Sequence, residues 1–280
     1  MRTRRSHRVG LSPLPAGFTL IELLVVVAIV SILLAVSLQA LRRARILAYR
    51  IRCGANLGQI AIAWHSYLND NSQQFYQKVN ANHHFGGWKG IAGGAPSRPL
   101  NPYVSLPAEP NGPQDTEVFR CPADKGDQNC EPSAYVYYGN SYQTNLMLIG
   151  PDSLPSQQWV SDPVRTLNQR INERLENLSA NAVCDDPYLL LMGDNNWVRQ
   201  WSPLSSAAGR AWHGTEGRYN MAFFDGHVAL VNIRKGVYLD PDYRIQPFKD
   251  LDEITYETQR SIVNWTASHR APLCRHEEGR

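Results

Sequence analysis

The sequence carries little charge and almost no excess of either sign. Its 280 residues include 28 Lys and Arg against 25 Asp and Glu. Four of the basic residues are arginines within the first 17 positions, where there is no acidic residue, which leaves 24 basic against 25 acidic residues in the rest of the chain. Because a domain that binds nucleic acid carries a basic excess, we exclude that class. The 18 prolines, 20 glycines and 43% hydrophobic residues exclude a coiled coil or a disordered acidic tail.

The sequence also lacks the short signatures of common enzymes. It contains no Gly-x-Ser-x-Gly elbow, no Walker loop and no paired glycine-rich phosphate fingerprint. It has no internal repeat and no low-complexity tract. We therefore expect a globular protein without catalytic activity and without a required cofactor.

Only one long hydrophobic run is present, from Phe18 to Leu38. Its 21 residues include a single ionisable side chain, Glu22. As a helix this run rises about 32 Å, close to the hydrocarbon thickness of a bilayer. A secretory signal peptide has a shorter apolar region followed by a small-residue cleavage site, and neither is found here. The run predicts a transmembrane helix whose arginine-rich leading end stays in the cytoplasm.

The helix is expected to continue beyond the membrane, over residues 39–70. Apolar residues and glycine recur there at steps of three and four, which is the period of a helix face. These positions are Leu47, Ile51, Gly54, Leu57, Ala61, Trp64 and Leu68. The Asn and Asp residues from Asn69 to Asn71 then predict the end of the helix.

Residues 71–280 are expected to form an α+β head with an antiparallel sheet. The clearest element is a hairpin in which Asp225-Gly226 joins two β-prone runs, and this dipeptide is typical of a two-residue type I′ turn. Further elements are predicted as strands at Val118–Arg120, Tyr135–Tyr138 and Tyr188–Met192, and as helices at Pro163–Leu178 and Glu253–Trp265.

The junction between the leader and the apolar run carries a family resemblance. The order Ala16-Gly17, then Phe18-Thr19-Leu20-Ile21-Glu22-Leu23, resembles the start of type IV pilins and type II secretion pseudopilins. The resemblance implies that a membrane peptidase removes residues 1–17 by cutting after Gly17, and that it methylates the new N-terminal Phe18. It also implies assembly with other subunits on an inner-membrane secretion or pilus platform.

Glu22 is the acidic residue of that family pattern. A carboxylate in a membrane helix costs about 2.5–3.5 kcal/mol on insertion scales, so it needs a partner or a function. The resemblance implies pairing with the amine of a neighbouring subunit during filament assembly. The alternative is an interfacial carboxylate that reaches water, and we favour the assembly role because acids within membrane segments are usually functional.

A second resemblance lies near the C-terminus. His213-Gly214, followed by Asp225-Gly226-His227, is similar to the His-Gly…Asp-Gly-His motif of a planctomycete-type family of pseudopilin-like proteins. The interval between its two halves is two residues longer than is usual in that family.

Two kinds of metal site are weighed and disfavoured. His213, Asp225 and His227 offer zinc-type ligands, but without a recognised spacing we favour structural roles. Calcium could bind the acidic groups of a loop, although neither candidate cluster follows the EF-hand pattern and we favour solvated side chains. Those clusters are Asp124, Asp127 and Asn129, and Asp185 with Asp186.

Five cysteines follow the membrane helix, which puts them in an oxidising compartment if the head is extracytoplasmic. Cys121 and Cys130 would form the most local bridge. Cys53 and Cys121 would instead join the helix to the head. The sequence leaves both pairings open.

The function predicted from these features is that of a filament subunit. We expect a single-pass inner-membrane protein with a cytoplasmic N-terminus and a periplasmic head, assembled into a type II secretion pseudopilus or a type IV pilus-like filament. A signal-anchored binding module that never polymerises is the main alternative, and an anchored metal-dependent enzyme is a third. Gly17 and Glu22 favour the filament subunit because a simple anchor needs neither.

Overall fold

The fold is described from a computed structural model. It describes residues 19–76, 81–92, 97–110, 112–126, 132–149, 162–175, 186–202, 209–214 and 216–268. The chain divides into two compact units, residues 1–45 and residues 46–280, which are described separately. The boundary lies inside the first helix, α1, which runs from Leu20 to Asp70.

The described part of the first unit consists of Thr19 and the first half of α1. Its side chains are exposed throughout, including large apolar ones such as Leu20, Ile21 and Ile32. By length and composition α1 can cross a membrane. The prediction of a long apolar N-terminal helix is therefore confirmed.

The second unit begins with the rest of α1, which contributes to the hydrophobic core. The side chains of Leu57, Ile60 and Trp64 are fully buried, and the buried part of the helix begins at Cys53. The prediction that this apolar face packs against the head is wrong for its first two positions, since Leu47 and Ile51 are exposed. Periodicity identifies which face of a helix is apolar, but not where along the helix its packing partner begins.

A four-stranded antiparallel sheet forms the centre of the head. Its strands lie in chain order: β1 (Tyr142–Thr144), β2 (Leu190–Asp194), β3 (Arg218–Phe223) and β4 (Val228–Asn232). All pairs are antiparallel, and β2 is buried along its whole length. The α+β prediction is confirmed.

The sheet lies against α1 at two glycines. A methyl group at Gly54 or Gly58 would be 3.7 or 3.9 Å from the side chain of Val228 on β4. These are ordinary contact distances, so the glycines sit under a valine side chain and not under a closely approaching backbone.

Six shorter α-helices complete the described fold. They are α2 (Ala81–His84), α3 (Ala134–Tyr138), α4 (Leu146–Ile149), α5 (Asp162–Leu175), α6 (Trp197–Trp201) and α7 (Asp252–Ser268). The predicted helices at Pro163–Leu178 and Glu253–Trp265 are confirmed as α5 and α7, although residues 176–178 lie outside the described ranges. Each contributes apolar side chains to the core, as Val164 and Ile262 show.

Two predicted strands are wrong. Val118–Arg120 overlaps a 3-10 helix at Glu117–Phe119, and Tyr135–Tyr138 lies in α3. Ser133 caps α3 because its hydroxyl oxygen accepts a hydrogen bond from Val136 N, and Gly139 ends the helix at φ 84°. These caps override the strand preference of the tyrosines, which depends on context.

The predicted hairpin is present, but its turn differs. Phe223 N donates to His227 O at 2.9 Å, and Gly226 N donates to Phe223 O at 3.0 Å, so three residues form the loop. Within the loop only Gly226 has positive φ, at 92°. This is a type I turn followed by a glycine bulge, not a two-residue type I′ turn. The predicted strand Tyr188–Met192 overlaps β2, which runs two residues further.

Candidate functional site

Glu22 and Thr19 form a capping box at the start of α1. Thr19 N donates to Glu22 Oε2 at 2.9 Å, and Glu22 N donates to Thr19 Oγ1 at 3.2 Å. The Thr19 hydroxyl also donates to Oε2, at 2.7 Å. The sequence already contains the signal, because Thr-x-x-Glu before an apolar run is the capping-box pattern.

The capping box gives Glu22 a role within its own chain. It satisfies backbone N–H groups that a helix N-terminus leaves without partners. The bonds to Thr19 use one carboxylate oxygen, Oε2, and the described residues provide no partner for Oε1. A further donor therefore has an oxygen available. Gly17 and Phe18, the expected cleavage residues, lie outside the described ranges.

A second candidate site is a group of polar side chains buried in the head, centred on Asp194 and His213. Their side chains are 2% and 1% exposed, and His213 Nε2 lies 3.2 Å from Asp194 Oδ2. Asn220 N donates to the same carboxylate oxygen at 2.8 Å. Asp194 ends β2 and Asn220 belongs to β3, so the pairing of these strands positions the carboxylate.

A disulfide lies beside this pair. Cys53 of α1 is bonded to Cys121, and the sulfur of Cys121 is 3.6 Å from His213 Nε2. Of the two pairings that the sequence left open, the structure contains the one that joins the helix to the head. Cys130 lies outside the described ranges.

Polar contacts hold α1 against the same region. Asn56 Nδ2 donates to Arg120 O at 3.0 Å and to the Tyr142 hydroxyl at 3.2 Å. Burial, together with the charge of Asp194, raises the pKa of Tyr142 well above its usual range. The phenol is therefore neutral and available as a hydrogen-bond partner.

The three residues of the C-terminal motif do not form one cluster. Asp225 and His227 lie in the exposed turn of the hairpin, where His227 Nδ1 is 2.6 Å from Asp225 Oδ1. The His227 ring stacks on Phe223, with 4.0 Å between ring centroids. Among the described residues, the side chains grouped closely enough to hold a metal are Cys53, Cys121, Asp194 and His213. The sequence analysis did not single out Asp194, because no motif distinguishes it.

The candidate calcium ligands that are described have partners within the protein. The carboxylate of Asp124 accepts hydrogen bonds from Gly126 N, Ala134 N, Tyr135 N and the Ser141 hydroxyl, at 2.6 to 3.0 Å. Its burial raises its pKa. Asp186 pairs with Arg244 at 3.0 Å. The other predicted ligands, Asp127, Asn129 and Asp185, fall outside the described part of the chain.

Comparison with protein families finds one match. Residues 15–38 match the family "Prokaryotic N-terminal methylation motif". No curated protein and no solved structure is significantly similar to the chain. The match covers the leader junction and the apolar half of α1, and it does not extend to the segment between His213 and His227.

The matched motif implies processing by a prepilin peptidase and assembly with other pilin subunits. Together with α1, the one helix among the described residues that is long and apolar enough to cross a membrane, it fits a single-pass inner-membrane protein. The chain carries a prokaryotic N-terminal methylation motif at its start, as type IV pilin-like proteins and pseudopilins do.

Proposed function

We propose that this protein is a structural subunit of a type II secretion pseudopilus or a type IV pilus-like filament. The observation that carries the proposal is the methylation motif at residues 15–38. The exposed apolar surface of the first half of α1 supports it, because subunits of such a filament pack their apolar helices together. The α+β head contains the other half of the helix.

Glu22 would make the contact between subunits. Once the leader is removed, the amine of Phe18 is a cation at the start of the helix bundle. The Oε1 atom of a neighbour's Glu22 can accept a hydrogen bond from this amine, while Oε2 keeps its hydrogen bonds from Thr19. In an environment of low dielectric constant this attraction is much stronger than in water. It would offset the cost of placing the carboxylate at the membrane.

The first test concerns processing. Protein extracted from the membrane is expected to begin at an N-methylated Phe18, because the motif directs cleavage after Gly17. Mass spectrometry of the mature N-terminus measures this. The variant Gly17→Val should keep its leader, since a bulky residue blocks the extended backbone that a peptidase needs. The matched control Gly10→Val, also within the leader, should be processed normally. An intact wild-type leader, or cleavage after residue 38, would contradict the proposal.

The second test separates the two roles of Glu22. Glu22→Ala removes both the charge and the capping box, whereas Glu22→Gln keeps a side chain that can cap the helix. Both variants should insert into the membrane, and both should lose crosslinking between neighbouring helices by about tenfold or more, which corresponds to at least about 1.4 kcal/mol. Crosslinking through cysteines placed in the membrane segment measures the effect. If Glu22→Gln crosslinks like wild type, Glu22 is only a helix cap.

A further inference from the structure

We propose that the head binds one zinc ion when Cys53 and Cys121 are reduced, with Asp194 and His213 as the other two ligands. The site differs from the metal site considered from the sequence, which combined His213 with Asp225 and His227. It also goes beyond the filament role, since it concerns how the helix is attached to the head.

The spacing of the four side chains fits a tetrahedral zinc ion. Their ligand atoms all lie within 4.8 Å of one another. Zinc bond lengths of about 2.3 Å to sulfur and about 2.0–2.2 Å to nitrogen or oxygen give tetrahedral edges of about 3.6 Å for S–N and about 3.4 Å for N–O. The structure has 3.6 Å between Cys121 Sγ and His213 Nε2, and 3.2 Å between His213 Nε2 and Asp194 Oδ2. The two sulfurs would separate to about 3.8 Å once their bond is absent.

The surroundings of the site also favour a cation. All four residues are buried. Asp194 Oδ1 is a buried carboxylate oxygen with no hydrogen-bond partner among the described residues. Leaving such an atom without a partner is costly, and a cation bound to the carboxylate would offset part of that cost. The hydrogen bond from Asn220 N holds this carboxylate in place, as outer contacts do in metal sites.

The four ligands come from four separate parts of the fold. Cys53 lies on α1, Cys121 follows the 3-10 helix at Glu117–Phe119, Asp194 ends β2, and His213 precedes β3. Four protein ligands close the coordination sphere, which is typical of a structural zinc site and not of a catalytic one. Zinc would therefore join the helix to the head, as the disulfide does, in a newly made chain whose thiols are not yet oxidised.

The chemistry balances without a reductant, because the thiols are reduced when the chain is synthesised. On binding, Zn²⁺ replaces the two thiol protons, which are released to solvent. Oxidation then transfers two electrons from the two thiolates to a disulfide of an oxidising protein. That disulfide takes up two protons and becomes a dithiol, while the Cys53–Cys121 bond forms and Zn²⁺ leaves.

The experiment uses the full chain in detergent with Cys130, Cys184 and Cys274 replaced by serine, so that Cys53 and Cys121 are the only thiols. One sample is reduced without oxygen and another is oxidised, and both are titrated with Zn²⁺ against a coloured chelator. We expect one zinc per reduced chain and none per oxidised chain. Cobalt in place of zinc should give a sulfur-to-cobalt charge-transfer band and the intense visible bands of tetrahedral coordination.

Variants identify the ligands. His213→Ala should weaken zinc binding by about 100-fold or more, since loss even of outer contacts costs about 10–100-fold. His227→Ala, which removes an exposed imidazole, is the matched control and should bind like the reference. Because His213→Ala also removes a buried side chain of the head, the cobalt spectrum of the reference protein serves as an independent test. The proposal is overturned if the reduced reference binds no zinc, lacks the sulfur-to-cobalt band, or binds equally well after oxidation.

Discussion

Replacing Cys53 and Cys121 together by serine is expected to lower the free energy of unfolding of the head by about 4 kcal/mol. The disulfide joins residues 68 positions apart. A crosslink that closes a loop of this length removes about 4.4 kcal/mol of chain entropy from the unfolded state. We expect nearly all of this stabilisation to be lost. Both sulfurs are buried in the core, so the serine hydroxyls that replace them would lose the water that surrounds them in the unfolded chain, and they would not restore the lost stability.

Urea unfolding of the full chain in detergent, followed by tryptophan fluorescence, measures this change. Trp64 and Trp197 are fully buried and report on the core. The control is the variant in which Cys130, Cys184 and Cys274 are serine, and it should unfold like wild type. Reducing that control should reproduce the loss, and Zn²⁺ should then restore part of it. A double variant within about 0.5 kcal/mol of the control, the range of a neutral surface change, would show that the bridge does not hold the head.

The elements predicted best are those whose own residues show their packing. The face of α5 that carries Val164, Leu167 and Ile171 is buried, as its helical period indicates. The hairpin is predicted correctly from its Asp-Gly dipeptide, but the predicted type I′ turn is wrong. Asp225 instead accepts a hydrogen bond from His227 N at 3.1 Å, and this bond supports a three-residue loop.

The wrong predictions concern segments whose structure is set by distant residues. Tyr135 belongs to a helix partly because Asp124, 11 residues earlier in the chain, accepts hydrogen bonds from Ala134 N and Tyr135 N. The caps Ser133 and Gly139 are local signals for the helix, but the contact with Asp124 is not visible in any local pattern. Propensity alone favours a strand for three tyrosines in five residues, and the caps together with the contact to Asp124 override it.

Of the two candidate sites, one can be recognised from contiguous sequence and the other is formed only by the fold. The leader junction and Glu22 follow from contiguous sequence, and the matched methylation motif covers them. The buried cluster does not, because Asp194 meets His213 only through the pairing of β2 with β3 and the path of the chain before β3. Cys121 is bonded to Cys53 because of the way α1 packs in the head. The lengths of the loops between the cysteines do not reveal that packing.

Removing the imidazole of His213 is expected to destabilise the head more than disturbing the hairpin turn. In the sequence, the turn glycine Gly226 has the clearer structural role. In the structure, His213 and Asp194 are a buried pair, and His213→Ala leaves the Asp194 carboxylate buried without it. Leaving a buried polar group without its partner costs about 1–3 kcal/mol, and removing the ring adds the cost of the cavity that it filled. Gly226→Val costs only about 1–2 kcal/mol for its positive φ, since a Cβ atom there would meet no atom within 4 Å.

Urea unfolding in the oxidised state compares the two variants directly, with the disulfide intact in both. His227→Ala is the control, because its half-exposed side chain should matter by no more than about 0.5 kcal/mol. The double variant His213→Ala/Asp194→Ala should lose less than the sum of its single changes, since removing both partners leaves neither side chain buried without the other. Additive losses, or a smaller effect for His213→Ala than for Gly226→Val, would mean that the pair does not act as a unit. Asp194 would then have to be stabilised chiefly by its bond from Asn220 N, which all these variants except the double one retain.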